Sequence, residues 1–174
     1  WLSKIVTPLT KTGEYEWKVP IYLHLTDRTQ SYYTDLGIET DSVDLTKLSE
    51  PFSDLDVNAA AEQVVSVSGD GSGEVPERWV LIDELTRASS QDFAQFCTET
   101  NWATVVGRPS GGYGSVGFPA VYEKLSNTGL LYYYDVHTGT TNEGRPTMFE
   151  GVNPNILSKP SVDPLTTCLE HISK

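Results

Sequence analysis

The chain has 174 residues, with 24 acidic against 12 basic side chains and a net charge of −12. That balance argues against nucleic acid or an anionic membrane as a partner, because both need basic surface. The length suits one domain, or part of one, with a real core. No apolar run approaches the roughly 20 residues of a membrane-spanning helix, and no signal peptide is visible. The chain opens at Trp1 without a methionine, so the expectation is a processed or excised piece in a secreted or extracytoplasmic setting.

In chain order, Trp1, Leu2, Ile5, Val6 and Leu9 have loose helical spacing, closed by Pro8 and Gly13. Tyr15, Trp17, Val19, Ile21, Leu23 and Leu25 alternate with polar neighbours as a half-buried strand does, and Pro20 favours an edge or a bulge there. Residues 30–56 mix Tyr32, Tyr33, Leu36 and Ile38 with acids and turn formers, an excursion of short elements. Asn58 to Val67 fits helix or strand, and Gly69-Asp70-Gly71-Ser72-Gly73 is a loop. The first 75 residues therefore read as a less defined excursion, and 76–174 as the part that bears the motifs.

That part opens at Trp79 to Val106. Val80, Leu81 and Ile82 read as a buried strand, and Asp83 to Ser90 as a polar corner. Phe93, Phe96, Cys97 and Thr100 then fall at helical spacing. Ser89 or Ser90 stands where an N-cap belongs, with Asp92 in an approximate capping box. Ala103 to Val106 returns to strand chemistry. Such a strand, helix, strand unit makes parallel neighbours with a crossover helix. A serine at its elbow is most often only a cap. It also sits where backbone N–H groups and the helix dipole favour negative charge, which suits a nucleophile passing through an oxyanion.

Beyond the 111–117 loop, Phe118 to Leu125 and Leu130 to Val136 read as a hairpin turning at Ser126-Asn127-Thr128-Gly129. Asp163 and Pro164 start a last helix with Leu165, Cys168, Leu169 and Ile172 on one face. Cys97 reads as a buried thiol, and it could pair with Cys168 only if the fold brought the two together. Gly112 to Gly117 matches G-x-G-x-x-G but precedes a strand, so a dinucleotide site has no support. P-loop, zinc and G-x-S-x-G motifs are absent, and neither cofactor nor metal is expected. The loop's glycines serve either a close peptide approach or a tight turn.

Thr86-Arg87-Ala88-Ser89-Ser90-Gln91-Asp92-Phe93-Ala94, then Ala103-Thr104-Val105-Val106-Gly107 and Gly111-Gly112-Tyr113-Gly114, resemble the core of the C-terminal-processing (tail-specific, tricorn-type) serine peptidases. Phe149 to Ile156 resembles that family's Gly-x-x-Pro-Asp-Ile element, and Asp163-Pro164-Leu165 its closing helix start. The resemblance implies an α/β fold, a crotonase/ClpP-like core of stacked βα units with a β-hairpin excursion. It implies a serine endopeptidase acting on polypeptides. Ser89 takes the nucleophile's place and the backbone N–H of Ser90 an oxyanion donor's. Gly111, Gly112 and Tyr113 line the substrate side.

The sequence departs from the family pattern twice. Tyr113 stands where many members carry the dyad lysine, which points to the branch with an upstream histidine and an assisting carboxylate. Glu150 is the best carboxylate, with Glu143 behind it; a solvated loop glutamate is the plain alternative. His24, His137 and His171 each have a blander place. The upstream Asn-x-Gly-Gly strand also has no counterpart. The base and half of the oxyanion hole are then expected from a complementary N-terminal segment of the same precursor, or order from self-association. Two other readings stay open: a non-catalytic relative binding an apolar ligand or extended peptide, and a scaffold segment.

Overall fold

In the computed structural model, which describes residues 1–42, 56–74, 77–114, 118–141 and 144–173, the early apolar spacing forms helix α1 (Leu2–Val6) and a 3-10 turn at Thr7–Leu9. The alternating stretch forms β1 (Glu14–Leu23). Helix α2 (Asp27–Asp35) follows, started by a capping box in which Thr26 and Thr29 each bond the other's backbone N–H. A short strand β2 (Asp41–Ser42) leads to residues 43–55 of the expected excursion, which lie outside the described residues. The ambiguous stretch after them is a strand, β3 (Ala59–Ser68), antiparallel to β1 along its whole length.

The central unit follows: β4 (Trp79–Ile82), α3 (Ser89–Thr100) and β5 (Thr104–Gly107), with β4 and β5 parallel as the crossover requires. β6 (Val121–Lys124) and β7 (Leu131–Tyr134) form the hairpin, closed by Gly129 at φ +73°. Strands β8 (His137–Gly139) and β9 (Ile156–Leu157) and helix α4 (Pro164–Ile172) complete the chain. The order β2-β3-β1-β8 makes one sheet and β4-β5-β9 a second, parallel one. The architecture is mixed α/β.

The apolar core runs through both sheets. Leu2, Val6, Trp17, Val19, Ile21 and Leu23 pack with Phe96, Cys97, Trp102 and Val105, and the Trp17 and Phe96 rings meet edge to face at 6.0 Å. Both cysteines are buried and free, and burial pushes the Cys97 thiol up to about 12.

Three local expectations are corrected. Pro20 lies in an interior strand, not at an edge. Its carbonyl accepts from Thr140 N, just past the end of β8, so its missing N–H faces a place where the ladder has stopped. β4 is an edge strand, and Leu81 is 42% exposed rather than buried. On α4, Asp163 caps as expected by accepting from Leu165 N at 2.8 Å, but of the predicted apolar face only Cys168 is buried.

Candidate active site

The elbow after β4 is built from side chain to backbone. Asp83 Oδ1 accepts from Leu85 N, and Asp83 N donates to Thr86 Oγ1, which turns the chain sharply back. Ala88 then takes φ 51° and ψ −129°, a conformation that costs a non-glycine residue about 1–3 kcal/mol and persists only where its surroundings hold it. Its N–H lies 3.4 Å from the Gly112 carbonyl, and Gly111 N donates to Thr86 O at 2.8 Å. The glycine loop thus braces the elbow.

Ser89 is the first residue of α3 and is exposed. The expected serine cap is not there. The N-cap is Ala88, which has no side chain to cap with, and Ser90 Oγ donates to the Arg87 carbonyl at 2.7 Å. The strained turn has already put Ser89 into the helix, so its hydroxyl cannot reach back to cap. Among the described residues that hydroxyl makes no hydrogen bond. The Ser90 N–H points to the Arg87 carbonyl at 3.3 Å, a long bond that an oxyanion would have to displace.

Buried polar groups that the sequence reading missed tie α3 to the rest of the site. Gln91 Nε2 donates to the carbonyls of Thr147 (2.9 Å) and Glu150 (3.2 Å). Gln91 Oε1 accepts from Ser110 Oγ at 2.7 Å, and Ser110 Oγ accepts from Val152 N at 2.7 Å. Tyr113 N and Gly114 N donate to Met148 O and Thr147 O, both at 3.1 Å. A Cβ at Gly151 would fall on the Ser110 carbonyl, so only glycine permits this approach. The elbow, the 110–114 loop and the 147–152 segment therefore form one cross-braced unit, with Ser89, Ser90, Gly111, Gly112, Tyr113 and Glu150 all on it.

Charge on this unit is paired or stacked. The Glu150 carboxylate lies 3.2 Å from the Arg145 guanidinium, and the Arg87 guanidinium covers the Tyr113 ring at 5.5 Å. Tyr113 has φ +65° and an exposed ring. Arg108 grips Glu84 with two hydrogen bonds and holds that carboxyl below its ordinary value. The histidines are engaged elsewhere: His24 Nδ1 with the Asp56 carbonyl at 2.6 Å, His137 against the Phe118 ring at 5.2 Å, and His171 Nδ1 with the Thr167 carbonyl at 2.9 Å. Glu143 and residues 115–117 lie outside the described residues. Among the described residues no group of His, Cys, Asp and Glu could hold a metal ion, and no helix is long and apolar enough to cross a membrane.

An α/β core thus presents an exposed serine on a strained strand-to-helix elbow, braced by a glycine loop and a glutamate-bearing segment. The chain belongs to peptidase family S41, whose profile matches residues 60–158, more than half of it. Solved structures share the fold. A variant of CPAF is 15% identical, with 99% of this chain and 38% of that one covered at a TM-score of 0.54. Mature CPAF complexed with lactacystin is 15% identical over 89% and 36% of the two chains, with a TM-score of 0.52. A protein from Parabacteroides merdae is 16% identical over 67% and 38%, at 0.50. The chain spans less than two-fifths of the length of each of these structures. No curated protein matches it.

Proposed function

We propose that this chain is the C-terminal portion of a serine-type peptidase domain with a crotonase/ClpP-like core, in which 76–174 bear the motifs. Ser89 attacks a peptide carbonyl, the Ser90 N–H donates to the oxyanion, and Glu150 assists a histidine supplied by an upstream segment or a second copy. The substrate is a polypeptide lying along Gly111, Gly112 and Tyr113. The setting proposed for it is extracytoplasmic. The observation that carries the reading is the Ser89 hydroxyl, without a hydrogen bond among the described residues, on an elbow braced through Gly112 and, by way of Gln91, tied to the backbone of Glu150.

In the intact protein, a fluorophosphonate probe is expected to modify Ser89, read by peptide mass spectrometry. Ser89→Ala is expected to lose both labelling and peptide hydrolysis. Labelling that survives the substitution would move the nucleophile elsewhere. The second reading, a non-catalytic binder of an extended peptide or apolar ligand, draws on Tyr113 in the lysine position and on the Ser90 N–H engaged with Arg87 O. Ligand binding by a wild type that never labels would favour it.

A further inference from the structure

We propose that the cavity behind Met148 and Phe149 receives the side chain of a lysine or arginine from the bound polypeptide; this rests on the polypeptide-binding reading above and names its specificity. The cavity has a volume of about 320 Å³, at the lower end of ligand-sized pockets. Met148 and Phe149 form one wall. The Met148 carbonyl also accepts from Tyr113 N, and Gly112 packs against it closely enough that an added Cβ would sit 3.0 Å away. Gly112 in turn accepts from Ala88, the residue before Ser89. Backbone hydrogen bonds thus link the elbow through Gly112–Tyr113 to the Met148–Phe149 segment that lines the cavity. Phe149 is 69% exposed, so this part of the lining is open to solvent.

The lining selects one class of side chain. Val57 and Val136 supply apolar surface, while Asp56 and Asp135 stand among the lining residues as exposed carboxylates. Asp135 takes no cation among the described residues. The Asp56 carboxylate lies 3.3 Å from His24 Nδ1, a partner that is cationic only when the ring is protonated. A long aliphatic stem ending in a cation satisfies both halves of the lining. Its methylenes lie along the valines and Phe149, and its charge meets the carboxylates at the surface. The Phe149 ring face adds attraction for that cation. A glutamate would meet like charge, and a purely aliphatic side chain would gain only the apolar half.

The test uses the intact protein carrying Ser89→Ala, so that peptides bind without turnover. Fluorescence anisotropy compares peptides that differ at one scanned position, as lysine, norleucine or glutamate. At one position the lysine peptide is expected to bind on the order of tenfold tighter than the norleucine peptide, with glutamate weakest. Asp135→Asn with Asp56→Asn should bring lysine down to the norleucine affinity and leave norleucine unchanged, and Asp135→Lys should favour glutamate. Equal binding of lysine and norleucine peptides, a preference that survives the double substitution, or no peptide binding at all would each overturn the proposal. Fluorophosphonate labelling of the Ser89 enzyme is read in parallel. Labelling without a lysine preference sinks the cavity assignment alone. A lysine preference without labelling keeps the cavity and makes the protein a binding module.

Discussion

Ser110 carries no charge and is buried, yet its hydroxyl joins three segments. It donates to Gln91 Oε1 and accepts from Val152 N. Ser110→Ala removes both bonds and leaves a buried amide oxygen and a buried N–H without partners. Each such group costs about 1–3 kcal/mol, so a loss on the order of 2–4 kcal/mol is expected, read as a lower urea midpoint at unchanged slope. Gln91→Ala in the same background should add much less than it does alone, because the two residues share one network. This clamp was not legible in the sequence. Ser89 was, because a serine at a strand-to-helix corner is a local pattern. Gln91, Ser110 and Val152 are ordinary residues whose meaning comes from pairings 19 and 42 positions apart. The strain at Ala88 was equally hidden, since an alanine in a left-handed conformation announces nothing by type.

Among the elements, those with strong local chemistry were readable and those held by neighbours were not. Asp163-Pro164 named the start of α4, and the glycine turn named the β6–β7 hairpin, because cap and turn residues act on their own backbone. β8 and β9, three and two residues long, exist only because β1 and β5 offer them ladder partners. The hairpin carries a further prediction. Glu123 accepts from the Tyr132 and Tyr134 hydroxyls at 2.6 and 3.1 Å and pairs with Arg28 at 2.8 Å. The hydrogen bond from Tyr132, first among these, holds the Glu123 carboxyl below its ordinary value. A depressed folded pKa stabilises above the unfolded value, near 4.3, and that stabilisation is lost as pH falls through the folded one. The Tyr132 and Tyr134 rings stack at 5.9 Å, and acid titration should therefore loosen that stack below about pH 4 and leave it unchanged near neutrality, as followed by tyrosine NMR shifts. Glu123→Gln should remove that acid step.

Over the whole molecule, one core spans early and late sequence: Trp17 on β1 packs on Phe96 of α3, and Tyr33 of α2 on Phe118. The sheet that precedes the motifs therefore packs directly against the helix that follows the elbow. Among the described residues, no base is hydrogen-bonded to Ser89. Lysine is absent from the 110–114 loop, and His137 and His171 lie against Phe118 and the Thr167 carbonyl. His24 faces Asp56 in the neighbouring cavity. A serine without its base loses nearly all its rate, since such residues act as a unit, and one missing oxyanion donor alone costs on the order of 10²–10³-fold. Residues 1–174 alone are therefore expected to hydrolyse peptides at no more than about a thousandth of the rate of the intact protein, compared on one fluorogenic substrate at equal concentration. Comparable rates would put the base inside this chain. His24 and His137 would then be the residues to substitute first, because of the three only these line the cavity together with Met148 and Phe149.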